Sequence, residues 1–377
     1  MLNGGPGKPH PGTAGPAGVQ GGGPAGARRA APGPGFKEAG LDSRQVSRFI
    51  APASGPGPEE ILASELGEPF REYRRRWERA KGFREIPPYP IHVDYELASA
   101  CNLRCPMCLF AAGDKPEGAV SGGKSLPARL VRELLSEGAA RGQASMGFGG
   151  LWEPLLSPEV PALVEFGRSR GLTDAMASTN GLLLTRELSR DLVGAGLTRL
   201  MVSLDAATEA TYALMRPGSD FGRVSDNVLE FLAARESAGK RLPLLRLSFC
   251  VTALNEAELG DFLRAWEGKA DFFSIQRYGD FGAGKPIFPR DPPGPAPSGR
   301  CAQPFKRLSV RHDGTVLPCC DLSGLPLAVG NAAADGSLEG AWNGEAIRSI
   351  REAALRDDPD GLPGPCAVCR GKFGAGG

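Results

Sequence analysis

An α/β fold, curled into a partial (β/α)6 TIM barrel and followed by a small cysteine-rich extension, is what this 377-residue chain predicts. Two observations carry that expectation. Six strand-like runs alternate with helical ones through the middle of the chain, the pattern of a parallel sheet with helices outside. Right-handed crossovers then curl such a sheet toward a barrel. Of the nine cysteines, three fall within eight residues directly after the first run, and five lie beyond the last.

The chain opens on residues rich in Gly, Pro and Ala with few large apolar side chains. Such a stretch cannot bury enough surface to order itself, so residues 1–57 are expected to be a disordered arm. No apolar stretch follows Arg28-Arg29, which argues against a secretory signal. Residues 58–88 make a helical segment: a charged amphipathic helix over 59–81, with Ile61, Leu62, Leu66, Phe70 and Trp77 as its apolar members, ended by Pro87, Pro88 and Pro90. The barrel is expected over 89–285, with strands at 91–98, 145–148, 174–178, 199–204, 244–252 and 271–277. Helices are expected between them at 128–140, 158–171, 185–194, 222–239 and 257–268. Residues 286–377 make the extension, in which a hairpin is legible as a strand at 308–311, a turn at His312-Asp313-Gly314 and a strand at 315–317.

Charge and hydropathy exclude several classes. The formal net charge is +1, so nothing electrostatic favours nucleic acid or an acidic surface. No run of about 18 apolar residues occurs, and no membrane span is expected. Nine cysteines without a secretory signal point to a reducing compartment, the cytoplasm.

The segment Cys101-Asn102-Leu103-Arg104-Cys105-Pro106-Met107-Cys108 follows the first strand, at the end of a barrel where catalytic groups gather. Three thiolates can hold three irons of a 4Fe–4S cube and leave the fourth open to a small molecule. A structural zinc site prefers four ligands and finds no fourth Cys or His nearby. In spacing and surroundings the segment resembles the cysteine tripod of the radical SAM superfamily. The resemblance implies that Cys101, Cys105 and Cys108 hold a 4Fe–4S cluster whose open iron chelates S-adenosyl-L-methionine (SAM), and that reductive cleavage of SAM yields a 5′-deoxyadenosyl radical. Met107 matches an apolar family position near the adenine; plain packing against the barrel is its alternative.

Later strand ends extend the resemblance. Gly149-Gly150-Leu151-Trp152-Glu153-Pro154 looks like the family's Gly-Glu-Pro motif, with Trp152 where Gly usually precedes Glu. Glu153 would accept hydrogen bonds from the SAM ammonium, an ionised pairing of the stronger kind; a surface Glu after a glycine turn is the plainer reading. Ser178-Thr179-Asn180-Gly181 offers hydroxyl and amide groups to the ribose or carboxylate of SAM, and also reads as an Asn-Gly turn that opens a helix. Ser203-Leu204-Asp205-Ala206-Ala207-Thr208, with Tyr212 and Arg216, closely resembles a further family stretch. It implies Ser203 and Arg216 as partners of the SAM carboxylate, which Arg reads in two-pronged fashion. Asp205 is expected to cap the following helix.

Cys301, Gly314 and Cys319, in C-x12-G-x4-C spacing, match the opening of the SPASM extension of radical SAM enzymes, and Cys366-Ala367-Val368-Cys369 completes the set. The further cysteines of a two-cluster version do not follow. Four thiols fit one auxiliary 4Fe–4S cluster, as in the shortened Twitch variant; a four-cysteine zinc site is the alternative that these separated ligands also permit. Cys320 adjoins Cys319 and could replace it, while the G-x4-C spacing favours Cys319. Cys250, inside an apolar run, is expected in the core. His10, His92 and His312 show no ligand pairing.

For function, the resemblance implies an oxidoreductase that cleaves SAM, abstracts a substrate hydrogen atom and passes an electron to a fully ligated auxiliary cluster. Oxidation also releases a proton, and Arg277, Tyr278 and Asp280 at the end of the sixth strand are candidate bases from position alone. The implied partners are a small-molecule or peptide substrate and an external one-electron reductant of flavodoxin or ferredoxin type, with no nucleic acid and no membrane. Two readings stay open beside it. One is a peptide maturase that crosslinks or epimerises a ribosomal peptide. The other is a non-catalytic, zinc-binding relative of the fold.

Overall fold

The computed structural model describes residues 47–51, 55–108, 125–277, 300–320, 326–356 and 361–369. Tyr278, Asp280, the expected boundary at 285/286 and most of the expected arm lie outside them, as do the side chains of Arg277 and Cys369.

An edge strand, β1 (Ser47–Ile50), and a long helix, α1 (Pro58–Lys81), precede the barrel. Its wall is β2 (His92–Tyr95), β3 (Ser145–Phe148), β4 (Asp174–Thr179), β5 (Arg199–Ser203), β6 (Leu244–Val251) and β7 (Phe272–Arg277), each paired in parallel with the next. The helices α2 (Ala128–Arg141), α3 (Val160–Ser169), α4 (Arg186–Gly194), α5 (Glu209–Met215), α6 (Phe221–Ser237) and α7 (Leu259–Ala265) lie between the strands in sequence. Residues 47–50, assigned to the arm by composition, instead belong to the sheet. β1 pairs antiparallel with β7 and Ile50 is buried, because Phe49-Ile50 supplies the β-favouring apolar side chains that the rest of the arm lacks. The short α5 is not visible in the hydrophobic pattern; the Thr208 side chain starts it by accepting from Thr211 N.

Parallel strands buried on both faces read as continuous apolar runs. These strands alternate instead. Ala175, Ala177, Leu200, Val202, Leu245, Leu247 and Phe249 are buried in the main apolar core, and the alternate residues Met176, Ser178, Met201, Ser203, Arg246 and Cys250 are only half-buried. The concave side is therefore a polar-lined lumen rather than a packed apolar interior. One end of it is closed by α1, whose Leu62, Phe70, Tyr73 and Ala80 pack with Ile91, Ala144, Leu244 and Phe272 around the strand starts. To follow that floor α1 kinks at Gly67 (φ 69°), two residues before Pro69, whose ring is incompatible with an unbroken helix.

At the other edge the extension continues the same sheet. β8 (Arg307–Val310) pairs in parallel with β2, β9 (Thr315–Leu317) antiparallel with β8, and β10 (Gly330–Asn331) with β9. Four further helices follow: α8 (Ala332–Asp335), α9 (Glu339–Asn343), α10 (Glu345–Arg356) and α11 (Gly364–Cys369). The fully buried Trp342 anchors them, donating to Pro87 O at 2.7 Å beneath the Arg351 guanidinium, 4.0 Å from its ring.

Candidate active site

The cysteine tripod, Glu153, Asn180 and Asp205 each lie just beyond the C-terminal end of a barrel strand, at the rim opposite α1. The loop after β2 folds back so that Cys108 N donates to Cys105 O (2.9 Å) and Leu103 N to Cys101 Sγ (3.5 Å). Cys105 is buried; Cys101, Cys108 and the intervening Met107 are half-buried. Burial pushes the Cys105 thiol up to about 11; Arg216 opposes this, and Asp205, Cys108 and Cys101 add to it. Burial also raises Cys101, against the Leu103 N–H and with help from Glu153 and Cys108. Charge on Cys108 disfavours ionisation of both Cys101 and Cys105, so the three thiols lie within electrostatic reach of one another. Their donor set fits an iron–sulfur cluster, whose cationic irons would relieve that repulsion. Among the described residues, no three His, Cys, Asp or Glu groups already stand drawn together around a metal position.

Glu153 is the second component. After β3 the chain turns through Gly149 (φ 140°), where an added Cβ would come within 3.0 Å of Ser178 Cβ on β4. That turn delivers Glu153 into the rim, with its N donating to Ala100 O (3.1 Å), next to the tripod. Its carboxylate accepts from Thr179 Oγ1 (2.6 Å), Leu155 N (3.1 Å) and Asn180 N (2.8 Å). Burial raises its pKa, and these hydrogen bonds and the more distant Arg216 only partly offset the rise. Thr179 and Asn180 thus support Glu153, and Asn180 Nδ2 also donates to Asn102 Oδ1 inside the tripod (2.7 Å). Ser178 and Ser203 lie half-buried in the lumen row, on neighbouring strands β4 and β5.

Asp205 does not cap a helix; Thr208 does. Asp205 pairs with Arg216 through both Nε (2.9 Å) and Nη2, and its other oxygen accepts from Cys250 N (2.7 Å). Arg216 Nη1 lies 3.9 Å from Cys105 Sγ. A cluster absent from the sequence reading joins the extension to the same rim. Glu96 Oε2 lies 3.0 Å from His312 Nδ1 and 3.3 Å from Arg311 Nε, all three buried. The available signal was the His92, Asp94, Glu96 alternation, which aims every second residue of β2 at the lumen.

In the second cysteine set Cys301, Cys319 and Cys366 are half-buried. Cys320 is exposed and accepts from Arg307 Nη1 at 2.9 Å.

Residues 95–256 match the model of the radical SAM superfamily, and residues 301–370 match that of the SPASM iron–sulfur cluster-binding domain. The mycofactocin maturase MftC of Mycobacterium tuberculosis is 28% identical over 173 residues, 46% of this chain and 41% of that protein. The GTP 3′,8-cyclase of Chlorobaculum tepidum is 31% identical over 195 residues, 50% of this chain and 55% of that one. The chain thus spans about half the length of the curated relatives it matches. The crystal structure of Streptococcus suis SuiB bound to S-adenosylmethionine aligns with a TM-score of 0.56 and 16% identity, over 75% of this chain and 72% of that one. That of anSMEcpe with AdoMet and a Kp18Cys peptide aligns at 0.54 with 15% identity, over 74% and 88%. At that identity the likeness speaks for the fold, the partial barrel.

Fold and rim together define a SAM-dependent iron–sulfur enzyme. The chain belongs to the radical SAM superfamily and carries a C-terminal SPASM domain, so its cofactors are a SAM-binding 4Fe–4S cluster, SAM and an auxiliary 4Fe–4S cluster. No described helix is long and apolar enough to cross a membrane.

Proposed function

We propose that the chain is a radical SAM oxidoreductase acting on an organic substrate in the polar lumen. The observation that carries this reading is Glu153. It is 3% exposed and accepts three hydrogen bonds, yet among the described residues no cationic side chain forms an ion pair with it. A carboxylate offers about four acceptor positions, and an unpaired buried one is costly. The ammonium of SAM supplies the missing charge.

In this reading Cys101, Cys105 and Cys108 hold the SAM-binding cluster, Met107 packs near the adenine, and Ser178 and Ser203 meet the ribose and carboxylate. Thr179 and Asn180 hold Glu153 in place. Arg216 puts positive charge beside Cys105. Cys301, Cys319, Cys366 and Cys369 ligate the auxiliary cluster. The division into 58–88, 89–285 and 286–377 serves as the working domain scheme. When bound and reduced, the cluster and SAM supply a 5′-deoxyadenosyl radical that abstracts a hydrogen atom. The substrate proton would be taken by Tyr278 or Asp280, which follow β7 in sequence, because the guanidinium of Arg277, the third candidate, keeps its own proton. The second electron would pass to the auxiliary cluster, and an external one-electron reductant would feed the SAM-binding cluster.

A second reading, a peptide maturase, is favoured by the relatives' names: a mycofactocin maturase, and SuiB bound to its precursor peptide SuiA. Anaerobic reconstitution separates the claims. Wild type is expected to bind about eight irons and a Cys101/Cys105/Cys108→Ala variant about four, with 5′-deoxyadenosine released only by the former after reduction. About four irons in wild type and none in the variant would remove the auxiliary cluster and with it the electron acceptor. Product mass then decides the class: a two-unit loss on a small molecule supports dehydrogenation, and modification of a supplied peptide supports the maturase.

A further inference from the structure

Among the described residues, one cation of the lumen wall pairs with no carboxylate. Arg246 stands on the inward face of β6, level with Met201 of β5 and Phe272 of β7. Its Nη2 meets Met201 Sδ, and its guanidinium carbon lies 5.7 Å from the Phe49 ring centre and 5.9 Å from that of Phe272. The other lumen arginines are paired: Arg199 with Asp174 and Glu59, Arg307 with Asp94, Arg311 with Glu96, Arg216 with Asp205. Among the described residues no Asp or Glu pairs with Arg246, and the charged group acting on it is Arg199, a like charge.

A thioether and two ring faces satisfy only part of a guanidinium with five N–H donors. Two residues along β7 from Phe272, on the same inward row, Ser274 Oγ is buried and has no hydrogen-bond partner. Buried polar groups without partners are exceptions that call for a missing ligand. Here a half-buried guanidinium that pairs with no described carboxylate and a buried serine hydroxyl without a partner stand on the inward rows of neighbouring strands, two residues apart in register. The buried Phe272 ring shields one side of the guanidinium, which strengthens a charge pairing made there.

We propose that Arg246 and Ser274 form an oxyanion subsite that takes a carboxylate or phosphate group of the substrate and fixes it in the lumen below the SAM site. The guanidinium reads either anion through paired N–H donors, and the serine hydroxyl donates a third bond. This rests on the reading of the lumen as the substrate chamber, and it narrows the substrate to anionic molecules.

The test is calorimetric titration of the reconstituted full-length protein with malonate and with inorganic phosphate. Wild type is expected to bind one of them saturably at one site per chain. Arg246→Gln should weaken that binding by at least about tenfold, Ser274→Ala by a few-fold, and Arg246→Lys should retain part of it. Tighter malonate binding identifies a carboxylate substrate, and tighter phosphate binding a phosphorylated one. Absence of saturable binding in wild type, or undiminished binding in Arg246→Gln, overturns the subsite. If circular dichroism finds Arg246→Gln unfolded, Ser274→Ala decides, and its undiminished binding counts against the proposal. Iron content is measured on the same samples. Full iron without anion binding removes the subsite alone, whereas iron-free protein removes the functional reading beneath it.

Discussion

Arg216 and Asp205 form a buried ion pair at the rim, with Arg216 Nε 2.9 Å from Asp205 Oδ2. Asp205 sits at φ 62°, a left-handed conformation that costs about 1–3 kcal/mol in most side chains and is among the more tolerable for Asp. Three contacts hold it there: Arg216, Cys250 N, and Asn255 Nδ2 donating to its carbonyl at 2.8 Å. The strained corner thereby aims a guanidinium at Cys105. Asp205→Ala would strand that charge, and removing one partner of a buried pair costs about 3–5 kcal/mol. Urea denaturation should register a loss of that order, with Asp205→Ala/Arg216→Met recovering part of it. A single-variant loss below about 1 kcal/mol would mean that the pair does not hold the corner.

Gly149 has no room for a side chain. Its φ of 140° is foreign to L-residues, and a Cβ would press on Ser178 Cβ at 3.0 Å and Ser178 O at 3.2 Å, neither of which can swing away. Gly149→Ala is therefore expected to destabilise the protein by about 1–3 kcal/mol and to displace Glu153, four residues on. Weaker SAM binding alongside a lowered denaturation midpoint is the expected pair of results. Unchanged SAM affinity would uncouple the turn from the carboxylate.

The barrel was legible because its outward faces keep strict alternation and helical spacing, as in Leu200 and Val202 of β5 and Leu192 and Val193 of α4, all members of one apolar core. The tripod was legible because three thiols in eight residues have few structural uses. Legibility failed where a role depends on a partner distant in sequence. Asp205 looks like a cap until Arg216 folds back eleven residues later. Thr179 and Asn180 read as ligand groups, and their bonds to Glu153, twenty-six residues upstream of Thr179, could not be read from their own segment. His312 looks like an idle turn residue until β8 docks beside β2 and brings it to Glu96. The α10 helix buries Ile347, Ile350 and Ala354 at helical spacing, a pattern present in the sequence between Cys320 and Cys366.

The thiols provide a metal-independent handle. With its pKa pushed up to about 11 by burial, Cys105 of the apo protein is a thiolate in only about one molecule in a thousand at pH 8. Iodoacetamide should label the exposed Cys320 long before Cys105. The linked stability has a definite sign. A thiol whose folded pKa lies above the ordinary 9.0 stabilises the fold fully below pH 9, and that contribution is lost as pH rises through 11. Apo wild type should lose stability across that window, and Cys105→Ala should lose less. Equal losses in the two proteins would show that Cys105 is not the titrating group.

Glu153 makes the sharpest demand on the SAM reading. Burial raises its pKa in the cofactor-free protein, so the carboxylate takes up a proton at a higher pH than an ordinary glutamate does. Only the ionised form attracts an ammonium, so SAM affinity should begin to fall on the acid side earlier than ordinary carboxylate titration would allow. A charge-assisted hydrogen bond contributes about 1.5–3 kcal/mol, and Glu153→Gln should therefore weaken SAM binding by roughly ten- to a hundredfold. It should also flatten the pH dependence. Equilibrium dialysis of SAM against reconstituted protein across the acid range measures both. Gln keeps one acceptor for Thr179 and Leu155 but turns an N–H toward Asn180 N, so some local loss of order is expected with it. Glu153→Asp, which keeps the charge on a shorter stem, separates the two effects: recovery of the acid limb without full affinity assigns the pH dependence to the carboxylate, whereas a profile as flat as that of Gln would place the titrating group elsewhere.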